Sequence, residues 1–392
     1  MFYLEQAKSR ATLVESPRIY MGADPEAFVV NDKDEIVGSE LVIPDDPIST
    51  GQGKIIRDGV QIEFNPSPGR CREDMGYFLG RLLTAAATAA NAKGFRISLR
   101  QADDITPENL AELSPEVRRF GCDKSFNTYF EDSPAGSLDG DIYLRRACGG
   151  HIHVSPTRTI FASVKAGDYV DVDKRTRLVP IFDVLVGNTC VLIDRDEHQV
   201  ERRKYYGRAG EYRLPKYGIE YRTLSNFWLR NYVLMSMTFG LMREAVAILH
   251  QTLVNEFHKD GPNLEAELMS RVDLKKIIKA IQQNDADLAW ENFAGVEDFL
   301  KTFVTGADGK QDISVDPNLE HANRDRLSLN AENVGKFKLF AKDVQTRGLT
   351  GVFPEDPLKH WAERSKSYNV NYYSDKGFEA FLNNNYPLKK EQ

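Results

Sequence analysis

The sequence predicts an α+β fold in which helices flank a largely antiparallel sheet. Short runs of β-type residues, separated by Gly, Pro and Asp, fill the first part of the 392-residue chain. Long helical patterns and hairpins lie between these runs, which favours α+β over a regular strand–helix–strand repeat. Beyond about residue 260 the pattern becomes mostly helical and more polar, so we expect a helical C-terminal part.

The elements follow from the period of the apolar residues and from the residues that stop each run. Strands are predicted at Arg18–Asn31, Ile36–Ile43, Val60–Asn65, Arg96–Arg100 and Gly218–Ser225, with a hairpin within Asp141–Ser155. Helices are predicted at Arg72–Ala92 (amphipathic, stopped by Gly94), at Leu178–Ile193 (apolar enough to be buried) and at Tyr232–His258. We expect a first domain of residues 1–260 and a helical extension of residues 261–392 packed on it.

Composition excludes several classes of protein. A 41% hydrophobic content supports a packed core, and a net charge of −7 argues against general binding to nucleic acid or a membrane surface. No apolar run is expected to reach the roughly 18 residues of a membrane span. The start of the chain lacks a signal-peptide pattern, and the four cysteines contain no CxxC. The cytoplasm is therefore the expected compartment.

Four predicted strands carry reactive side chains at positions i and i+2, which share one face of a strand. The pairs are Asp24 and Glu26, Gln61 and Glu63, His151 and His153, and Glu220 and Arg222. An antiparallel sheet with one solvated face is the simpler explanation of any one pair. A solvated face normally includes lysine, serine and threonine, and these positions hold none. The set therefore predicts a site for a hard cation such as Mg²⁺ or Mn²⁺ and for phosphate.

The stretch from Glu201 to Arg222 is basic in an acidic chain. We expect Arg202, Arg203 and Lys204 to lie on a solvated face. Arg208 and Arg213 differ, because they stand among glycines that permit tight turns, and such arginines can grip phosphate or carboxylate oxygens. The sequence contains neither GxxxxGK[ST] nor GxSxG, so no P-loop and no hydrolase nucleophile are predicted.

These segments resemble the carboxylate–amine ligases of the glutamine-synthetase superfamily, and most closely the phiEco32-like phage amidoligases of type 2. The matching segments are GADPEAF, DGVQIEFNP, FGCDKSFNTY, GGHIHVS, YGRAGEYR and YGIEYRTLSNFW. The resemblance implies a glutamine-synthetase-like antiparallel sheet that cups the active site, with residues 1–260 as the catalytic domain. It also implies cleavage of ATP to ADP, two or more Mg²⁺ ions (with Mn²⁺ as a substitute), and an acyl-phosphate intermediate.

The resemblance further implies a role for each matched residue. Glu26, Glu63, His151 and Glu220 would bind metal, and His151 and His153 would also lie near the nucleotide phosphates. Arg208 and Arg213 would hold the γ-phosphate and the acyl-phosphate, and Arg222 would assist phosphoryl transfer. Asp24 stands at a position where relatives carry an acid. Asn65, Asp123 and Asn127 lie in matching motifs without an assigned role.

Two other functions stay open from the sequence. A zinc hydrolase could use His151, His153 and a glutamate, but it would leave the arginines without a role. A non-catalytic relative, acting as a binding or virion-associated protein, would be expected to have lost part of the set. For the ligase, the partners are a small-molecule or peptide carboxylate and an amine, in the host cytoplasm if the protein is phage-encoded. The sequence does not identify these substrates or the oligomeric state.

Overall fold

A computed structural model describes residues 18–118, 125–131, 144–157, 172–304, 327, 329–368 and 377–388. The strands are β1 (Arg18–Ala23), β2 (Glu26–Val30), β3 (Ile36–Val37), β4 (Ile48–Thr50), β5 (Gly53–Asp58), β6 (Gln61–Pro66), β7 (Arg96–Ser98), β8 (Ala102–Asp104), β9 (Phe126–Asn127), β10 (Arg145–Ala147), β11 (Ile152–Thr157), β12 (Glu211–Arg213) and β13 (Ile219–Tyr221). All recorded strand pairs are antiparallel, which confirms the predicted α+β class.

The helices flank the sheets and form most of the second half of the chain. They are α1 (Arg72–Asn91), α2 (Pro107–Glu112), α3 (Pro115–Arg118), α4 (Val172–Thr176), α5 (Leu178–Phe182), α6 (Asn188–Val191), α7 (Gln199–Tyr205), α8 (Tyr232–His258), α9 (Leu264–Ser270), α10 (Leu274–Gln283), α11 (Ala286–Phe299), α12 (Ala331–Val352), α13 (Pro357–Arg364) and α14 (Phe378–Asn385). A π-helical turn, Asp183–Gly187, joins α5 to α6, so the predicted buried helix is present but not regular.

Two main sheets meet near the start of the described chain. One has the order β1-β11-β13-β12-β9, and the other has the order β3-β2-β6-β5-β4, with β7 also paired to β2. The single strand predicted over Arg18–Asn31 is wrong: it breaks at Asp24-Pro25, where proline supplies no backbone N–H for a ladder. Strand β1 enters the first sheet and β2 enters the second, so one segment joins both sheets.

Two other strand predictions are also wrong in part. The run Ile36–Ile43 is a strand only as far as Val37, and a short 3₁₀ helix follows over Ser39–Leu41, where the Ser39 hydroxyl donates to the Gly59 carbonyl at 2.7 Å. The hairpin predicted within Asp141–Ser155 is not formed by its described residues. Strand β10 pairs with β8, whereas β11 pairs with β1 and β13, because Gly149 and Gly150 lead the chain from one sheet to the other.

The core is continuous from the sheets to the C-terminal helices. Helix α8 has the predicted bounds, and its stretch Tyr232–Leu253 is long and apolar enough to cross a membrane, contrary to the expectation that no such run exists. About nine-tenths of that stretch (89%) is buried by the rest of the protein. Its apolar character therefore serves packing, and the core that it joins extends to Leu382 in α14.

Candidate active site

The junction of the two sheets is held by backbone hydrogen bonds around Asp24-Pro25. The Glu26 N–H donates to the Gly149 carbonyl at 3.0 Å, and the Phe64 N–H donates to the Pro25 carbonyl at 3.0 Å. Within β1 and β11, Gly22 is the register partner of His153. These bonds bring together residues that are far apart in sequence. We call this junction, where β1 and β11 of the first sheet meet β2 and β6 of the second around Asp24-Pro25, the seam. The predicted site residues on these strands lie along it.

The first acidic group lies in the second sheet. Glu26 and Glu63 are register partners on β2 and β6, and Asp58 lies at the end of β5. One carboxylate oxygen from each of the three lies within 4.8 Å of the others. The Gly149 N–H donates to Glu26 Oε2 at 2.8 Å, and the Asn65 amide donates to Glu63 Oε1 at 2.7 Å. These contacts orient two of the carboxylates towards a common point.

Burial and crowding make this group electrostatically unfavourable as it stands. Burial raises the pKa of Glu26 to about 8, and the neighbouring charge of Asp58 adds to the shift. Burial raises the pKa of Glu63 to about 9, with further contributions from Asp24 and Asp58. Carboxyl groups that resist ionisation in this way are relieved by a cation placed between them. The group therefore has the chemistry of a divalent-metal site.

The second group combines acids and imidazoles in the first sheet. Asp24, His153 and Glu220 each offer one ligand atom within 4.8 Å of the others. His153 Nε2 is 3.1 Å from Asp24 Oδ2, while His151 Nδ1 is 3.2 Å from Asp24 Oδ1 and 3.7 Å from Glu220 Oε1. Nε2 of His151 is buried and has no hydrogen-bond partner among the described residues. A buried imidazole nitrogen without a partner is available to a ligand.

The charges in this second group are coupled through Asp24. Burial opposes ionisation of Asp24, but the two imidazoles outweigh burial and hold the pKa of Asp24 well below its usual range. Burial also opposes protonation of His153, yet the Asp24 carboxylate raises the pKa of His153 above its ordinary value. For His151 burial prevails and lowers the pKa. The pKa values of the two histidines of one motif are therefore shifted in opposite directions.

Two arginines bind the same glutamate. Arg213 Nε lies 2.8 Å from Glu220 Oε2 and donates to Oε1 at 3.0 Å, and its Nη2 is 3.9 Å from Asp24 Oδ2. Arg222 Nε lies 3.1 Å from Glu220 Oε1, and Nη1 donates to the Ser125 hydroxyl at 2.6 Å. The Arg222 side chain is 1% exposed, whereas that of Arg213 is 29% exposed. Arg213 is thus the more accessible of the two.

Arg208 lies in a glycine loop that we call the arginine loop, Gly207–Gly210. Its guanidinium lies 4.8 Å from the centroid of the Phe130 ring. The Asn127 amide donates to the Ala209 carbonyl at 2.8 Å, and the Thr223 hydroxyl donates to the Arg208 carbonyl at 2.9 Å. Strand β9 and the segment after β13 therefore fix the loop, which gives Asn127 a structural role.

The predicted metal ligands do not lie in one group in the structure. Glu26 and Glu63 belong to the first group, Glu220 belongs to the second, and His151 borders the second. Asp58 was missed as a candidate, although it is the first residue of the DGVQIEFNP motif. Asp24, which had no defined role, contacts both histidines. Asp123 lies outside the described residues.

The prediction of a solvated face for Arg202, Arg203 and Lys204 is wrong for the two arginines. Arg202 is 3% exposed and Arg203 is 6% exposed, and both donate to backbone carbonyls. Lys204 is exposed as expected. A short charged run on a helix does not reveal which of its members face the core, because that depends on what packs against the helix.

Part of the chain matches a known protein family. Residues 134–314 match the family described as phage phiEco32-like COOH.NH2 ligase-type 2. The resemblance predicted from the sequence is confirmed over this region, which contains both histidines, the arginine loop and Glu220. Glu26, Asp58 and Glu63 lie before it. The match thus covers just under half the chain. It includes His153 and Glu220 of the second group, but neither Asp24 nor any member of the first group. No curated protein matches the chain in sequence.

Solved ligase structures show a distant likeness. A structure described as a GmaS/ADP complex has a TM-score of 0.32 at 12% identity, over 76% of this chain and 73% of that chain. A bifunctional glutathione synthetase from Pasteurella multocida has a TM-score of 0.37 at 12% identity, over 98% of this chain and 54% of its own length. A novel glutamine synthase homolog has a TM-score of 0.32 at 11% identity, over 93% and 74%. Scores this low carry no inference about activity.

Proposed function

We propose that the protein is a carboxylate–amine ligase that uses ATP and Mg²⁺, forms an acyl-phosphate and releases ADP. The observation that supports the proposal is the convergence of Arg213 and two groups of potential metal ligands at the seam between the sheets. The family match supports ligase chemistry in general. The substrates would be a small-molecule or peptide carboxylate and an amine.

The residues of the seam fit divalent cations. Glu26, Asp58 and Glu63 supply oxygen ligands only, which suits hard ions such as Mg²⁺, and the second group adds one imidazole. In the first group, Glu26 and Glu63 have pKa values of about 8 and about 9. A cation would let Glu26 and Glu63 ionise beside Asp58. A metal held by these residues would neutralise negative charge on the phosphates of ATP.

The reaction consists of two displacements. An oxygen of the substrate carboxylate attacks the γ-phosphorus, the bond from that phosphorus to the β–γ bridging oxygen breaks, and ADP leaves with the electron pair. The amine nitrogen then attacks the acyl carbon, the carbon–oxygen bond to phosphate breaks, and the nitrogen loses one proton. In this scheme Arg213 and Arg208 stabilise charge on the transferred phosphoryl group. Arg222, being buried, orients Glu220.

The proposal is tested by nucleotide binding and by the products of turnover. ATP should raise the melting temperature in the presence of Mg²⁺ or Mn²⁺, and the increase should vanish with EDTA. Glu63→Gln should abolish the increase, whereas Glu116→Gln, at an exposed position on α3, should retain it. Incubation with a metabolite extract should yield ADP and phosphate. Equal thermal shifts with and without metal, or stoichiometric pyrophosphate, would exclude this mechanism.

A second candidate is a metal-dependent hydrolase, favoured by the group Asp24, His153 and Glu220, which could hold zinc. The two arginines on Glu220 argue against it, because a hydrolase of this kind gives them no role. Metal analysis separates the two functions. A full equivalent of zinc in the purified protein, together with an Arg213→Ala variant that hydrolyses normally, would support the hydrolase.

A further inference from the structure

Helix α7 carries a buried arginine, Arg202, whose guanidinium contacts two consecutive backbone carbonyls and one aromatic ring. Arg202 Nη1 donates to the Thr223 carbonyl at 2.9 Å, and Nη2 donates to the Leu224 carbonyl at 2.7 Å. Its guanidinium lies 4.5 Å from the centroid of the Tyr206 ring. Burying a guanidinium is costly unless its donors are satisfied, and here both terminal nitrogens have carbonyl partners while Nε has none among the described residues.

The two carbonyls that Arg202 binds lead directly to site residues. Thr223 donates through its hydroxyl to the Arg208 carbonyl at 2.9 Å. The Leu224 carbonyl also accepts from the Gly150 N–H at 3.0 Å, and Gly150 immediately precedes His151. Thr223 therefore links the guanidinium to the backbone that carries Arg208, and the shared Leu224 carbonyl links it to the backbone that carries His151.

The contact with Tyr206 extends the chain of interactions to the first acidic group. The Tyr206 hydroxyl donates to the Ala147 carbonyl at 3.1 Å and lies 3.5 Å from Glu26 Oε2. The Tyr206 ring packs edge-on against the His151 ring, with centroids 5.9 Å apart. Tyr206 therefore lies between the Arg202 guanidinium on one side and His151 and Glu26 on the other.

The arginine loop begins against the same guanidinium. Gly207 has φ +76°, and a Cβ at this position would collide with the Arg202 guanidinium. The Gly207 N–H donates to Glu211 Oε2 at 2.7 Å. The close approach of Arg202 thus requires glycine at the point where the loop leaves α7.

We propose that Arg202, acting with Tyr206, is the positioning residue that sets the arginine loop, His151 and Glu26 relative to one another. The inference rests on the proposed function, since it assumes that these residues bind metal and nucleotide together. Neither Arg202 nor Tyr206 touches the reacting atoms in this scheme. Their effect is to hold residues from both sheets at one spacing, so that a metal–nucleotide complex meets all of them.

The neighbouring Arg203 offers a matched control. It is on the same helix and similarly buried, but it donates to the Ile281 carbonyl and to Asn284 Oδ1, at the end of α10. Loss of Arg203 should therefore destabilise the packing of α7 on α10 without moving the seam. A general loss of stability and a loss of positioning can then be told apart.

The test measures the affinity of the full-length protein for Mn²⁺ and for Mn²⁺·ATP by electron paramagnetic resonance, with the melting temperature recorded in parallel. Arg202→Met should weaken Mn²⁺·ATP binding by about tenfold or more. Tyr206→Phe, which loses the hydroxyl that contacts the Ala147 carbonyl and Glu26, should weaken it by about threefold to tenfold. Arg203→Met should lower the melting temperature comparably and leave the affinity within about twofold. Arg202→Lys retains the charge but not the two-carbonyl fork, and should restore only part of the affinity.

The outcomes separate this inference from the function on which it rests. A wild-type protein that binds no Mn²⁺·ATP would overturn both. A wild-type protein that binds normally, with Arg202→Met and Arg203→Met equally tight, would overturn the positioning role alone. If Arg202→Met does not fold, Arg202→Lys and Tyr206→Phe decide, and unchanged affinity in both would reject the inference.

Discussion

At the scale of single residues, Glu220 is the acid that two arginines contact. Its two oxygens are shared by Arg213 and Arg222, and His151 lies close by. Its oxygens are therefore already engaged by guanidinium groups. Arg213, which is partly exposed, is the partner that could turn towards a phosphate, and its movement would leave Glu220 oxygens free for a metal.

We expect Arg213→Ala to retain Mn²⁺ binding and to lower ADP formation by about 100-fold or more, the size of a lost transition-state charge contact. Glu220 keeps Arg222 in this variant, so the site should stay assembled. The measurement is ADP release from Mg²⁺·ATP beside the Mn²⁺ affinity of the same sample. Lys216→Ala, an exposed change in the following turn, is the control and should be active. Full activity of Arg213→Ala would contradict its role.

His250 allows a prediction about pH. It is buried on α8, and burial lowers its pKa to about 4. Between pH 6.5 and 4 the unfolded chain binds the proton and the folded protein does not, so stability must fall as the pH falls through this window. From the pKa difference, this one group should cost about 3 kcal/mol of unfolding free energy between these limits.

A His250→Leu variant should lose that part of the pH dependence. The measurement is urea unfolding of both proteins at pH 7, 5.5 and 4.5, with the slopes of free energy against pH compared. The variant should become progressively more stable than the wild type, relative to their difference at pH 7, as the pH is lowered. Parallel slopes would show that His250 is protonated in the folded protein.

At the scale of elements, the arginine loop is fixed by its glycines and by strand β9. Gly210 has φ +80°, and a Cβ there would lie 2.6 Å from the Tyr129 ring. The Thr128 N–H donates to the Gly210 carbonyl at 3.0 Å. A left-handed backbone and a close ring together leave no room for a side chain. The loop is therefore a preformed element that presents Arg208.

Gly210→Ala should lower the free energy of unfolding by more than the strain of a left-handed alanine alone, and should weaken ATP binding. Gly94 is the matched control, because it has the same φ of +80° and a Cβ added there would meet only open space. Gly94→Ala should cost about 1 kcal/mol from the backbone term alone. Gly210→Ala should exceed it by about 1–3 kcal/mol, since the ring must also move. Equal costs in urea unfolding would refute the steric argument.

At the scale of the whole molecule, the C-terminal helices share the core of the first part. The Trp361 indole N–H of α13 donates to the Leu229 carbonyl at 2.6 Å. Arg72, fully buried on α1, is bound by Glu379 of α14 at 3.0 Å. A buried ion pair between the two parts argues for one cooperative unit. The predicted division near residue 260 stays a prediction, since the hydrophobic core crosses that point.

Glu379→Ala should lower the free energy of unfolding by about 3 kcal/mol or more, because it removes the carboxylate partner of a buried guanidinium. Glu363→Ala, which removes an exposed pair with Lys366, should change it by less than about 1 kcal/mol. Unfolding should remain a single transition in both variants. Separate melting of the C-terminal helices would instead favour two independent domains.

Much of the fold could be predicted because it depends on local pattern. The bounds of α8 follow from a long apolar run, and α1 follows from an amphipathic one that ends before Gly94. The irregular places could not be predicted in the same way. Asp24-Pro25 looks like the middle of a strand, and Gly149-Gly150 looks like a hairpin turn. In both cases pairing with a distant segment decides where the chain goes.

Local pattern is enough to predict the α+β class, the long helices and the residue types of the site, because alternation, helical period and the motifs are properties of neighbouring residues. How those residues combine depends on the tertiary structure. It placed Asp58 with Glu26 and Glu63, joined Asp24 to both histidines, and buried Arg202 behind the seam. These groupings depend on contacts between segments far apart in the chain. Such contacts cannot be read from local pattern, so the two groups of potential metal ligands and the proposed role of Arg202 become apparent only when both sheets are assembled.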